Sequence, residues 1–414
     1  MSERDHLVAG QYEAYPYPER KPADEKKRLI EGSPSALLEL SHYLFAGRTP
    51  NPFRALIAGG GTGDAAIMLA QHCATAGLDA EITYLDMSTA ARAVVEARAA
   101  ARSLTNLRYV TGSLLEAATL APVPFDYIDT CGVLHHLEQP EDGLRALAAC
   151  LKPTGGMGLM VYGEYGRRGV YETQALLRQL APPNLPDPQR LAQTRRLMGA
   201  LPRTNWLKRN PFVQDHQAAG DAGLYDLLLH ARDRAYTVPQ LAEFAASADL
   251  AIISFVEPAR YDPATYIKDQ RLLGPLQALD PIAQASAAEA IAGNLRKHIV
   301  YLAPSAACQN RTGSPANQSL VPILAKHAPE ALAKALRAGS LSVDLDGYPA
   351  KFPAPPRAAA IVQRIDGQHS IAAILDELQT LDPNLTPAKA AKAFDSVYQL
   401  LCSLNLLFLT DRHQ

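Results

Sequence analysis

Between Phe53 and about Tyr162, short apolar runs alternate with longer Ala/Leu-rich stretches. The runs Ala55–Ala58, Ile82–Leu85, Tyr127–Cys131 and Met157–Tyr162 have strand length, and the stretches 64–76, 89–103 and 141–151 between them read as helices. Strands separated by helices predict βαβ units and a parallel sheet. A short amphipathic helix is expected over 35–46, ahead of the first strand. The α/β pattern returns at 221–257, with a helix over 238–248 and a strand over 251–256. Between the two blocks, 167–211 holds Pro182, Pro183, Pro186, Pro188, Pro202 and Trp206, and reads as a helical insertion lying over the core. From Pro304 to about Ser319 the chain turns to Ser, Asn, Gln, Gly and Pro, which suits a linker. Helical signals follow at 328–338, 357–364, 370–379 and 387–405. The expected division is an N-terminal lid and helix (1–52), a core (53–166), an insertion (167–220), completion of the core (221–303), a linker (304–320) and a C-terminal module (321–414).

Composition narrows the class. The 414 residues are 48% hydrophobic, enough for two or three domains around a large core. A formal net charge of -2 excludes nucleic-acid binding by overall charge. The insertion is a local exception: nine basic against two acidic side chains over 167–211 leave +7 there. That bias suits a docking surface for RNA or an acidic partner, and equally a solvated helical face. No apolar stretch approaches the roughly 18 residues of a membrane span, and the N-terminus has no apolar signal core. The five cysteines are scattered without CxxC spacing, so neither a disulfide framework nor a metal site is expected, and a reducing cytoplasm fits.

The sharpest local feature is Ala55-Leu-Ile-Ala-Gly-Gly-Gly-Thr-Gly-Asp64. A strand runs into Gly59, Gly60, Gly61, Thr62 and Gly63, and a helix follows at once. Glycines there permit a tight turn and let a ligand approach the main chain. Asp86 ends the second strand, where its carboxylate can accept hydrogen bonds from the two ribose hydroxyls of an adenosine ligand. The spacing Gly59-x-Gly61-x-Gly63 is shorter than the dinucleotide fingerprint GxGxxG.

Four ordered stretches resemble the motifs of class I S-adenosylmethionine-dependent methyltransferases of type 12. They are the glycine loop, Asp86-Met87, Phe125–Leu137 and Leu151–Met160. The resemblance implies an α/β, Rossmann-like, doubly wound seven-stranded sheet. It also implies S-adenosylmethionine as cofactor, released as S-adenosylhomocysteine. By this resemblance Gly59, Gly61, Thr62 and Gly63 cradle the cofactor, Asp86 holds its ribose and Met87 packs on adenine. Ser113 and Leu114 stand where the family often places another adenine contact, and Cys131 lies at the end of the fourth strand. One departure is clear: the acid usually found two residues before the first glycine is Ile57 here.

Methyl transfer from a sulfonium is an in-line displacement, in which orientation and exclusion of water supply most of the acceleration. A general base is required only for an acceptor protonated at working pH. His135 and His136, after the fourth strand, read either as base and acceptor-orienting groups or as packing at a helix start. The Tyr/Pro cluster Tyr12, Tyr15, Tyr17 resembles lids of related enzymes: a ring can face the sulfonium and a hydroxyl can reach the acceptor. Tyr162 and Arg167, after the fifth strand, lie on the substrate side of such a sheet. His230, Arg232, Asp233 and Tyr236 precede a helix start at Thr237–Pro239 and read as a pocket wall or a capped loop.

The segment 340–410, with its Asp366-Gly367 turn, resembles PqqD-like winged-helix modules. That resemblance implies peptide capture or dimerisation, against a plain helical cap on the core. The acceptor is therefore expected to be a protein or peptide side chain, or else a small molecule. A non-catalytic adenosine-ligand binder is the reading from another class.

Overall fold

The computed structural model describes Glu13 and residues 18–213, 220–230, 232–325 and 328–411. Its centre is one mixed sheet. Strands β1 (Phe53–Ala58), β2 (Ala80–Asp86), β3 (Leu107–Thr111), β4 (Phe125–Cys131) and β5 (Leu151–Gly163) run parallel. The two-residue β6 (Ala235–Tyr236) pairs parallel beside the end of β5. β7 (Leu250–Phe255) and β8 (Lys297–Pro304) complete the sheet, and β8 lies antiparallel between β5 and β7. The spatial order is β3-β2-β1-β4-β5-β8-β7. This is the doubly wound, seven-stranded arrangement expected from the sequence, with β6 as a short addition.

Period-2 alternation assigns the two faces. Phe53, Ala55 and Ile57 of β1 enter one core with Ile67, Ala70 and Val95, from α2 (Asp64–Thr75) and α3 (Thr89–Ala101). Leu56 and Ala58 enter a second core with Leu144 and Leu147 of α4 (Pro140–Ala148). A strand buried on both sides needs an unbroken apolar run, which explains the run Ala55–Ala58. Helix starts follow local chemistry. The Ser88 hydroxyl accepts the Ala91 N–H ahead of α3, and Thr237 with Gln240 forms a capping box.

The insertion builds its own small core. α5 (Val170–Leu180), α6 (Asp187–Ala200) and α7 (Gly220–Leu228) bury Val170, Leu177, Leu191, Leu224 and Leu228 together. Its charge is partly internal. Arg190 is buried, donating to the Leu229 and Ala181 carbonyls at 3.2 Å each, and Arg167 is buried as well.

Beyond the linker, β9 (Val321–Leu324) pairs antiparallel with β12 (Leu407–Thr410), and β10 (Ser340–Asp344) pairs with β11 (Pro349–Pro353) as a hairpin. Helices over Pro329–Arg337, Ala358–Val362, Ile371–Leu381 and Pro387–Ser403 fall where helical signals were read. Phe394, Val397, Leu401 and Phe408 share the first core with Leu40, Tyr43 and Leu44 of α1 (Leu37–Leu44). A buried polar seam runs along that contact. His42 Nδ1 accepts the Leu409 N–H at 3.0 Å, and Asn405 donates to Glu39 at 3.0 Å. Glu39 also accepts the Tyr301 hydroxyl of β8 at 2.8 Å. Burial lowers the His42 pKa to about 4 and keeps the ring neutral. The linker is pinned too: Ala46 N–H donates to the Arg311 carbonyl and Gly313 N–H to the His42 carbonyl. No helix among the described residues is long and apolar enough to cross a membrane.

Candidate functional site

The carboxyl ends of β1, β2, β4 and β5 open on one edge of the sheet, where ligands bind in folds of this type. At β1 the chain turns through Gly59, Gly61 and Gly63 with φ of +70°, +51° and +93°. A Cβ at Gly63 would stand 2.5 Å from the Val95 side chain, so the left-handed turn and the close packing both demand glycine. The loop is tied to the next strand. Gly61 N–H donates to Asp86 Oδ2 at 2.8 Å, Ser88 N–H donates to Oδ1 at 2.9 Å, and the Tyr84 hydroxyl donates to the Gly61 carbonyl at 2.8 Å. Burial raises the Asp86 pKa despite these donors. Two further hydroxyl donors, as on a ribose, would relieve that cost by stabilising the charged carboxylate.

The neighbouring predicted residues have distinct surroundings. Met87 is exposed beside Asp86. Ser113 accepts the Leu115 N–H at 3.2 Å, while the Leu114 side chain is buried in the second core. The Thr62 hydroxyl donates to the Pro18 carbonyl at 2.7 Å. Burial, then the Asp129 carboxylate, pushes the Cys131 thiol up to about 12, so it stays protonated at neutral pH. Ile57 lies in the first core. Its register partner is Asp129, a buried acid that accepts from Ser35 at 2.6 Å and whose pKa burial raises to about 6.

A charged strap crosses this end. The fully buried Arg98 donates to Glu25 at 2.6 Å, to the Thr62 carbonyl at 2.6 Å and to Asp64 at 2.8 Å. Arg20 reaches Asp64 at 2.6 Å, and Arg102 pairs with the other oxygen of Glu25. Glu13 accepts from the Ser88 and Thr89 hydroxyls at 2.8 and 2.6 Å. Glu13, Pro18, Arg20 and Glu25 therefore tie the described residues ahead of α1 to the glycine loop, its helix and the turn after Asp86. Tyr12, Tyr15 and Tyr17 lie outside the described residues.

The second half of the edge is a cluster of imidazoles. His135 and His136 sit on the turn Leu134–His136 after β4. The His135 ring centroid is 4.2 Å from those of His136 and Tyr162, and His136 stacks on His230 at 3.8 Å. His136 Nδ1 donates to the Arg232 carbonyl at 2.7 Å, which fixes its proton on Nδ1. His230 Nδ1 accepts the Arg232 N–H at 3.1 Å, the opposite tautomer. Arg167 lies 3.6 Å above the Tyr162 ring and donates to Asp233 at 2.8 Å. Gln174 also donates to that oxygen, Oδ2, at 3.2 Å. Burial, then the charge of His136, holds His135 well below the usual histidine range, hence neutral. Among the described residues neither of its nitrogens has a hydrogen-bond partner, nor has Asp233 Oδ1, and all three atoms are buried. Each such orphan costs about 1–3 kcal/mol.

The structure thus brings Tyr162, His135, His136, Arg167, His230 and Arg232 together. Tyr236 is not with them: it is buried in the second core against Phe244, at 5.2 Å between centroids. Arg232 turns its side chain to Glu138 at 3.2 Å and serves the cluster through its backbone. Sequence reasoning missed Glu13 and Gln174, and Asp233 was read only as part of a pocket wall or capped loop, since nothing in the sequence shows that Arg167 is buried against it.

Comparison with known proteins defines the class first. Residues 56–157 match the family model described as "Methyltransferase domain". That stretch thus matches a methyltransferase domain. The glycine turn and the Asp86 carboxylate fit S-adenosylmethionine, the cofactor that the sequence resemblance implies. Among curated proteins, the "Uncharacterized protein syc1184_c" of Synechococcus sp. is 31% identical over 268 residues. That match covers 62% of this chain and 61% of the relative, so the chain spans about three fifths of the length of the relative it matches. Among solved structures, PKMT2 from Rickettsia typhi is similar with a TM-score of 0.60 at 16% identity, over 97% of this chain and 76% of that one. PKMT2 in complex with AdoHcy gives a TM-score of 0.62 at 15% identity, over 91% and 75%. At that identity the likeness speaks for the fold, and it extends into the C-terminal segment.

Proposed function

We propose that the chain as a whole is an S-adenosylmethionine-dependent methyltransferase that moves a methyl group to an acceptor by in-line displacement, and that this acceptor is a protein or peptide side chain. The observation that carries the transfer is positional. The glycine loop with Asp86 and the Tyr162–His135–His136 cluster occupy the same strand-end edge, the first at β1 and β2, the second at β4 and β5. When bound, the cofactor supplies an electrophilic methyl group on a sulfonium. The chain does the rest. Asp86 holds hydroxyl donors, the glycine turn exposes main chain, and residues 18–26 with the insertion exclude water. Arg167, locked on Asp233, fixes the Tyr162 ring toward the acceptor side, and Tyr162 is half-buried where His135, His136 and Arg167 are buried. Gains of this kind come from orientation and desolvation, with no base required unless the acceptor arrives protonated.

A macromolecular acceptor is supported by the C-terminal segment. The described residues of 321–411 make no hydrogen bond to the glycine loop or to the imidazole cluster, yet they are joined to the sheet through a shared core and a buried polar seam. One observation favours a small acceptor instead: His135 and the Asp233 side chain are closed off beneath the insertion. Cofactor carrying a labelled methyl group, incubated with the protein and a lysate fractionated by size, separates the two. Label in the macromolecular fraction is the expected result; label only in small molecules reverses the assignment. Absence of cofactor binding would leave the non-catalytic reading.

A further inference from the structure

The imidazole cluster holds three electron-pair donors aimed at one place. His135, His136 and the Asp233 carboxylate each offer a ligand atom, and these atoms lie within 4.8 Å of one another. Hydrogen bonds already commit one atom of His136 and one of Asp233. His136 commits Nδ1–H to the Arg232 carbonyl, which leaves the Nε2 lone pair. Asp233 commits Oδ2 to Arg167 and Gln174, which leaves Oδ1. His135 commits neither nitrogen, although it is 1% exposed. Partners that orient the far side of each ligand are the usual companions of metal-binding histidines and carboxylates.

We propose that His135, His136 and Asp233 form a binding site for one divalent transition-metal ion of the zinc class. The inference goes beyond the methyl-transfer reading and does not depend on the acceptor. Two nitrogens and one carboxylate oxygen leave a fourth position open, as at zinc sites that admit water or substrate. Tetrahedral ligands with bonds of about 2.1 Å stand about 3.4 Å apart, so small side-chain rotations close the set. A second group, His136, Asp226 and His230, lies equally close. It shares His136, which has one uncommitted nitrogen, so a single ion is expected. His230 Nδ1 accepts the Arg232 N–H, so the neutral ring carries its proton on Nε2 and has no lone pair there to give. That selects the Asp233 set, with Asp226 as nearby negative charge to balance Arg167 and the ion. A protonated amine could meet the same three acceptors, but the closed, fully buried His135 and Asp233 side chains suit a bare ion better.

The test uses the full chain stripped with a chelator and titrated with Co(II), then with Zn(II). One equivalent of Co(II) is expected to bind with visible absorption bands of a four- or five-coordinate ion, and Zn(II) is expected to displace it. His136→Gln and His135→Phe should each weaken binding about 100-fold or more, and Gln174→Leu, which frees the Asp233 carboxylate, about tenfold. S-adenosylhomocysteine binding by each variant, measured separately, reports that the cofactor half is folded. A cobalt spectrum unchanged in both histidine variants would place the ion elsewhere and overturn the proposal. So would absence of stoichiometric binding, or methylamine occupying the site in place of Co(II).

Discussion

The two halves of the strand-end edge treat their polar atoms in opposite ways. At the cofactor half, Arg98 uses two carboxylates and a carbonyl and leaves only Nη2 unpaired, and both oxygens of Asp86 accept backbone donors. At the imidazole half, also roofed over, His135 has no partner on either nitrogen and Asp233 Oδ1 has none. Both halves bury an arginine against acid, so the difference is not one of charge. The cofactor half leaves one buried orphan, Arg98 Nη2, where the imidazole half leaves three. Those three unmet atoms mark where a ligand would be met. A buried polar group without a partner lowers stability, so its persistence signals function rather than folding.

Substitution should separate the halves. Arg98→Met is expected to have the largest effect on stability. It leaves Glu25 buried with Arg102 alone and Asp64 with Arg20 alone, and loss of one partner of a buried pair costs about 3–5 kcal/mol. Urea denaturation measures it; a loss below about 1 kcal/mol would show that the strap contributes little. Next is Asp129, at the junction of the halves. A carboxyl held at about 6 when folded binds extra protons in the native state, so stability falls as pH rises from about 4 to about 6. The cost is fully present above that window and is on the order of 3 kcal/mol. Asp129→Asn should therefore stabilise at pH 8 and change little at pH 4; equal gains at both would rule out the titration.

For ligand affinity, Asp86→Ala removes the acceptor for two hydroxyls, each worth about 1.5 kcal/mol or more to a charged group, so S-adenosylhomocysteine should bind about 100-fold more weakly. Calorimetry checks this, and unchanged affinity would remove the ribose assignment. The cobalt spectrum should be the same as in the unmodified chain, because Asp86 shares no partner with the imidazoles.

The cofactor half was legible in the sequence because it is local. One glycine turn and one acid at the next strand end define it, and short apolar runs place both strands. The strand β8 escaped because its partners β5 and β7 are distant and antiparallel, so no βαβ rhythm announces it. The imidazole half was legible only as separate fragments. His135-His136, Arg167 and His230–Asp233 are held together by the fold of the insertion, and no short spacing encodes that meeting. For the same reason the absence of paired-ligand spacing argued against a metal site. Net charge is a coarse guide as well: Arg167 and Arg190 belong to the +7 of the insertion but are internal, so less of that charge faces a partner.

The smallest effect is also the sharpest test of the contrast. His135→Phe keeps a flat ring between His136 and Tyr162 and removes two buried nitrogens that have no partners. Replacing unsatisfied polar atoms by an apolar group of similar shape is neutral to stabilising. In metal-free protein the variant is expected to gain about 0.5–1 kcal/mol in thermal or urea unfolding, while methyl transfer falls. The same logic applied to Arg98 gives a large loss, so the two substitutions should move stability in opposite directions. A loss of more than about 1 kcal/mol for His135→Phe would mean that its nitrogens are already satisfied in the resting protein. The two halves would then differ in composition only, and the case for an entering ligand at the imidazoles would fall with them.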